Sequence, residues 1–258
     1  MKIKQVAFLV FVLFFVLFSK AFGMEPTGYD YKKIIETGNA KEVRTNIDFL
    51  AGELHLTGST KNLSECYYGR GVLYLKPEMT YHEAGKTGYL NVESKKLKGQ
   101  DWADFDDNRW DLLINPTIEN SVAIKLHAGE SHIDLTGCNL SSFDYRMTAG
   151  ESSIILRNTS VPLMLFNMMA GKANIDLTGK WQNDLEAEIK GGVGELNLKV
   201  PYNVGVRVFV NGLIGEVNLP FFKRNGKVYI NDAFGQSKYT LYINVDAGIG
   251  EINVTMEE

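Results

Sequence analysis

A recurrence of 21 residues runs through the second half of this chain and leaves few folds open to it. The stretches "LHAGESHIDL", "MTAGESSIIL" and "MMAGKANIDL" follow one another at that spacing. In the first copy Val122, Ile124 and Leu126 alternate with other residues, a short turn follows, and Ile133 and Leu135 alternate again. Steps of 21 give Phe143, Tyr145, Met147, Ile154 and Leu156, then Met164, Phe166, Met168, Ile175 and Leu177. The same step leads to Leu185, Ala187, Ile189, Leu196 and Leu198, and then to Val206, Val208, Val210, Val217 and Leu219. A last step of 35 reaches Leu241, Ile243, Val245, Ile252 and Val254. Period-two alternation marks half-buried strands, so each copy reads as strand, turn, strand, turn. One such unit cannot bury its own apolar face, and copies have to stack.

Between the two strands of each copy lies a small-residue corner. Its first column reads Ala128, Ala149, Ala170, Gly191, Gly212, Ala247, and the next reads Gly129, Gly150, Gly171, Gly192, Leu213, Gly248. Glycine supplies a positive φ at a tight bend, and a corner stacked on its like has little room for side chains. "GGVGE" and "AGIGE" contain G-x-G, but no strand-to-helix context follows, so they are corners and not phosphate loops. The expected fold is all-β, a stack of 21-residue β repeats of solenoid type, with an antiparallel β-meander as the alternative.

The N-terminal part is less regular. "IDFLAGELHLTG", residues 47–58, repeats the corner, and "GVLYL", "MTYHEAGKTGYLNVE" and "RWDLLIN" continue as short strands. "YDYKKIIETGNAKEVR" is the one place for a short helix or an irregular lead-in. Before it, "MKIKQ", the 13 apolar residues 6–18 and Ala21-x-Gly23 follow the charged, apolar, small order of a secretory signal. A helix of that length covers about 20 Å, short of a hydrocarbon core of about 30 Å. Cleavage would leave Met24 as the first residue, with a retained signal anchor as the alternative. The organisation expected is a signal peptide over 1–23, a lead-in over 24–44, one β domain over 45–105 and a second over 106–258.

Several of these segments resemble the bacterial toast-rack family. They are "AGELHLTG", "WDLLIN", the "AGE…IDLTG" copies, and "GGVGELNLKVPYNVGVRVFV" with the later "VYINDAFGQSKYTLYINVDAGIGEINV". The C-terminal part is similar to the C-terminal domain of LiaF-like proteins. The resemblance implies a toast-rack domain over 45–105 followed by a LiaF-like domain over 106–258. It also implies an extracytoplasmic stacked β architecture and, through the LiaF relatives, a link to envelope stress. It brings no catalytic residues with it.

Candidate chemistry is sparse. The formal charge of −4 gives no basic footprint for nucleic acid. "HAGESH" places His127, Glu130 and His132 together, but on a strand corner and off the spacing of a helical zinc motif, so it reads as a solvated corner. Glu195, Glu216 and Glu251 fall in the column of His132, where stacking would bring carboxylates about 5 Å apart, to splay into water or share a cation. Glu186 and Glu188 are the pair considered for glycoside cleavage, against a plain soluble face. Phe221, Phe222, Tyr229 and Phe234, in the insertion over 221–235, are read as an end cap, with an aromatic contact surface as the alternative. Cys66 and Cys138 are read as two small buried residues, with a disulfide as the alternative in an exported protein. No residue is put forward as catalytic, cofactor-binding or metal-binding, and no cofactor is expected. The functional expectation is a non-enzymatic envelope scaffold, periplasmic or secreted, binding an unknown envelope protein or polysaccharide, with no membrane span after cleavage. The alternative is a carbohydrate-binding module or polysaccharide-active enzyme on a β-solenoid.

Overall fold

The structure is a computed structural model, and it describes residues 31–68, 75–94, 108–212 and 214–257. The signal segment, the start of the lead-in, the 95–105 junction and Leu213 lie outside the described residues. The strands of the N-terminal part are β1 (Tyr31–Ile35), β2 (Glu42–Thr57), β3 (Ser64–Tyr68), β4 (Pro77–Ala84), β5 (Thr87–Ser94) and β6 (Arg109–Ile114). The repeats supply β7 (Glu119–Asp134), β8 (Leu140–Ile155), β9 (Leu163–Asp176) and β10 (Leu185–Pro201). The C-terminal part adds β11 (Gly205–Asn211), β12 (Ile214–Asn218), β13 (Lys223–Asn225), β14 (Val228–Ile230) and β15 (Thr240–Glu257).

The long strands β2, β7, β8, β9, β10 and β15 lie side by side in parallel, which is the solenoid and not the meander. One sheet runs through all fifteen strands, in the order β1-β3-β6-β2-β7-β8-β9-β10-β15-β11-β14-β13, with β5 and β4 and, separately, β12 attached to the sides. It joins strands from both expected domains, since β2 pairs with β7 from Glu42 to Thr57. Two short strands complete each end of the stack. β5 and β6 cover the two halves of β2, and β11 and β12 cover the two halves of β15. The lead-in is strand where it is described: β1 pairs antiparallel with β3. Thr37 and Gly38 close the apolar run too early for a helix to repay its nucleation.

Each long strand folds at its corner, and the two halves form two walls around one core. Val122, Ile124 and Leu126 line the first wall and Ile133 and Leu135 the second, all buried. Tyr145 joins the walls: its hydroxyl meets Ser131 Oγ at 2.7 Å and also bonds Ser152, both on the second wall. Its ring stacks on Phe166 at 5.4 Å. Cys138, Val161 and Trp181, from the turns between coils, are buried in the same core and close its third side. Trp181 Nε1 donates to the Leu177 carbonyl at 2.9 Å. Burying each large aliphatic or aromatic side chain contributes about 1.5–3 kcal/mol, so continuous columns hold the stack together.

The corners obey the expected logic with a corrected register. Ala128, Ala149 and Ala170 align, as do Gly129, Gly150 and Gly171. From β10 onward the corner lies two residues later than the 21-residue step placed it. Gly171 pairs with Gly194, Gly194 with Gly250, and Gly250 with Gly215, so Gly192, Leu213 and Gly248 are not the corner glycines. The cause is the turn holding Trp181: Met164 pairs with Ala187 where the step of 21 predicted Leu185. The order in space also differs. β15 lies between β10 and β11, so the sixth copy sits inside the fifth, after the chain has passed through the β13–β14 hairpin. All seven corner glycines, Gly52 included, have φ between +109° and +151°. A Cβ on Gly150 would fall onto the Gly129 carbonyl oxygen, and Gly171, Gly194, Gly250 and Gly215 repeat the relation with the coil before them in the sheet. The missing side chain is the space in which the neighbouring backbone turns.

Candidate functional site

Past the corner, two outward columns run the length of the stack. The first is Arg109, Glu53, Glu130, Glu151, Lys172, Glu195, Glu251 and Glu216. The second, two residues further on, is Asp111, His55, His132, Ser153, Asn174, Asn197, Asn253 and Asn218. Outward residues at i and i+2 of one strand face the same side, so the two columns run together.

At the C-terminal end the second column is an asparagine ladder. Asn197 Nδ2 donates to Asn174 Oδ1 at 2.8 Å, Asn253 to Asn197 at 2.9 Å, and Asn218 to Asn253 at 3.0 Å. Asn197 and Asn253 each both donate and accept, so the side chains repeat the backbone ladder beneath them. Glu195, Glu251 and Glu216 are neighbours as expected, but they share their column with Lys172 and Glu130, not with His132. Lys172 Nζ lies 3.3 Å from Glu195 Oε1. The Asn197 amide, aided by Lys172, holds the Glu195 carboxyl below the usual carboxylate range.

At the N-terminal end the same columns carry histidine. "GELH" and "GESH" follow aligned corners, which sets Glu53 beside Glu130 and His55 beside His132. The rings of His55 and His132 lie 4.9 Å apart, edge to face. Glu53 Oε1 is 2.5 Å from His55 Nε2 and 3.8 Å from His132 Nε2, and Glu130 Oε2 is 3.9 Å from His132 Nε2. On the far side, Asp111 Oδ1 is 3.7 Å and Arg109 Nη2 is 3.4 Å from His55 Nδ1. Arg109 also holds Asp111 at 3.0 Å. Burial pushes His55 below its ordinary pKa. The Glu53 hydrogen bond opposes this, and the Arg109 charge adds to it.

Of the sequence candidates, "HAGESH" is split. His127 pairs with Asp48 at 3.0 Å, while Glu130 and His132 join Glu53 and His55. Sequence reading missed these two β2 residues, although aligning "AGELH" with "AGESH" on the Ala-Gly pair would have found them. Glu186 and Glu188 are both exposed, and Glu188 Oε1 accepts from Asn244 Nδ2 at 2.8 Å. Glu188 borders an open groove with Arg207, Phe209, Asn244 and Asp246. In the insertion, Tyr229 is buried and Phe222 packs on the core, while Phe221 is exposed. β14 pairs with β11, and the short, charged β13 forms the outer edge there. Cys66 and Cys138 are free and buried, each thiol pushed up to about 12 by desolvation. Corner residues that are alanine in β7, β8 and β9 become Val193, Ile249 and Ile214 further along, more than half exposed, with Met169 beside them. Among the described residues no helix is long and apolar enough to cross a membrane.

The family described as "N-terminal domain of toast_rack, DUF2154" matches residues 24–164 and 146–199, well over half of the chain. Among solved structures, a candidate cell adhesion protein from Clostridium sporogenes superposes with a TM-score of 0.64 at 26% identity, covering 88% of this chain and 98% of that one. A candidate adhesin from Bacteroides fragilis gives 0.27 at 10% identity, covering 87% of this chain and 96% of that one. A candidate adhesin from Parabacteroides distasonis gives 0.28 at 9% identity, covering 88% and 98%. No curated protein matches the chain.

Proposed function

The chain belongs to the toast-rack family, and from that premise we propose that it is an exported, non-enzymatic scaffold of the bacterial cell envelope that acts by binding. The observation that carries this reading is the likeness to the Clostridium sporogenes protein, which spans nearly all of that chain and most of this one. The geometry supports it. Parallel coils with paired backbones give a stiff body, and among the described residues the outward columns past the corner are arranged as ladders. Catalysis needs unlike groups converging in a water-limited site. The groove at Glu188 is open, and Glu188 is engaged with Asn244. The signal-like start supports a location outside the cytoplasm, periplasmic or secreted, with a cleaved leader. The resemblance of residues 106–258 to LiaF-like proteins adds a link to envelope stress. The partner would be an envelope protein or polysaccharide.

The experiment is to incubate the purified protein with isolated cell envelopes and a panel of cell-wall and extracellular polysaccharides. Retention and released sugar ends are measured in parallel. Saturable retention without release is expected. Turnover that disappears in Glu188→Gln would overturn the reading in favour of a polysaccharide-active enzyme.

A further inference from the structure

We propose that Glu53, His55 and His132, with Glu130 as a fourth donor, form a binding site for a divalent transition-metal ion of the zinc type. The inference is independent of the envelope-binding reading. Two parallel strands present the same Glu-x-His triplet directly after aligned corners, so two imidazoles and two carboxylates meet at one place on the surface. The donor atoms of Glu53, His55 and His132 all lie within 4.8 Å of one another. A tetrahedral zinc ion holds nitrogen and oxygen donors at about 2.0–2.2 Å, which puts the donors roughly 3–3.5 Å apart. The distances from Glu53 Oε1 to the two imidazole Nε2 atoms, 2.5 and 3.8 Å, straddle that spacing. Small side-chain rotations are enough to close the set, because three of its four members are at least a third exposed.

The outer contacts suit the role. A metal on His55 Nε2 requires the ring proton on Nδ1; Asp111 Oδ1, 3.7 Å away, is the group to receive it, and Arg109 Nη2, which can only donate and lies 3.4 Å from Nδ1, has to turn wholly to Asp111, which it already holds at 3.0 Å. A carboxylate behind a ligating imidazole fixes its tautomer and ring orientation. Glu53, Glu130 and Asp111 together outweigh the single positive charge of Arg109, which lies 3.0 Å from Asp111 and 3.7 Å from Glu53 Oε2, leaving Glu53 Oε1 to the histidines. Two imidazoles select against calcium and magnesium, which take oxygen donors, and favour zinc, nickel or copper. Elsewhere along the columns histidine gives way to Ser153 and then to asparagine, so the set is confined to β2 and β7. The site is on the surface, where a metal ion can reach it from solvent.

The test is titration of the purified protein with zinc chloride by calorimetry, repeated with cobalt(II) for its absorption bands. One equivalent of zinc should bind, and cobalt should give the spectrum of a mixed nitrogen and oxygen site. His132→Ala, at an exposed position, should weaken binding at least about tenfold while leaving the melting temperature of the metal-free protein unchanged. Glu53→Gln should do the same. His127→Ala, which removes a histidine paired elsewhere, should leave binding intact. Absence of one-equivalent binding would overturn the site. So would binding that His132→Ala does not weaken, or that His127→Ala weakens equally.

Discussion

The three coils β7, β8 and β9 and the three that follow them are built from the same apolar alternation, yet the 21-residue step that relates the first three is broken between β9 and β10. In the regular part each corner alanine and glycine sits on its equivalent one step earlier. From β10 the register moves by two residues, and β15 enters between β10 and β11. A shift of two leaves every apolar residue on the same face, because the side-chain period of a strand is two. The apolar columns are therefore blind to it. The corner glycines are not, since only they have the φ and the empty Cβ position that let one coil turn against the next. Hydrophobic pattern selects the fold, and the glycine column selects the register.

The largest effect should come from filling a corner. Gly150→Val places a branched side chain at φ 145° against the Gly129 carbonyl, and stability should fall by about 3 kcal/mol or more by denaturant titration. Gly194→Ala should cost nearly as much. Gly191→Ala should stay within about 0.5 kcal/mol, because its added carbon meets nothing closer than 3.9 Å. An equal cost at Gly191 and Gly194 would break the comparison. Next in size is Tyr145→Phe, expected to lose about 1 kcal/mol by removing the hydroxyl that bonds Ser131 and Ser152 across the walls.

Smaller still is the difference between the outward columns. Asn197→Ala cuts its bonds to Asn174 and Asn253, a loss of about 0.5–1 kcal/mol, while Ser153→Ala in the regular part should be near neutral. The smallest expected signal is that of the native thiols. With both pushed up to about 12 and buried, Cys66 and Cys138 should resist iodoacetamide at neutral pH until the protein unfolds, and rapid labelling of the native state would contradict the packing given to them.

Much of this architecture was legible in the sequence. The repeat predicts Leu135, Leu156, Leu177 and Leu198 as one column facing one core; all four are buried there, with Leu198 paired to Ile175, two residues out of the column. Parallel stacking is the favoured reading of the pattern, with the meander open beside it, and the glycine corner is readable at Gly129, Gly150 and Gly171. The two-residue slip was not, because its cause is the length of the turn around Trp181 and alternation carries no record of it. The insertion of β15 was hidden for a related reason: its residues match β10 and β11 equally well in pattern, and only closure of the last coil decides their order. The histidine cluster was half legible. His132 and Glu130 stood out, but their partners Glu53 and His55 come from a strand separated from β7 in sequence by β3, β4, β5 and β6, and only the corner alignment links them. Tyr145 reads as apolar in the alternation. That Ser131 and Ser152 are buried to satisfy its hydroxyl follows only once the two walls face each other.

The most direct test of the central claim is a pair of engineered cross-links between β9 and β10. The double variant Lys172→Cys with Glu195→Cys joins Cα partners in the register set by the corner glycines. The variant Lys172→Cys with Val193→Cys joins positions related by the step of 21, which the structure holds two residues out of line. Disulfides need Cα atoms within about 7 Å, a limit that a two-residue offset on a neighbouring strand exceeds. Mild oxidation followed by thiol counting and mass mapping should give near-complete cross-linking of the 172–195 pair and little of the 172–193 pair. The reverse outcome would contradict the assignment of register to the glycine column.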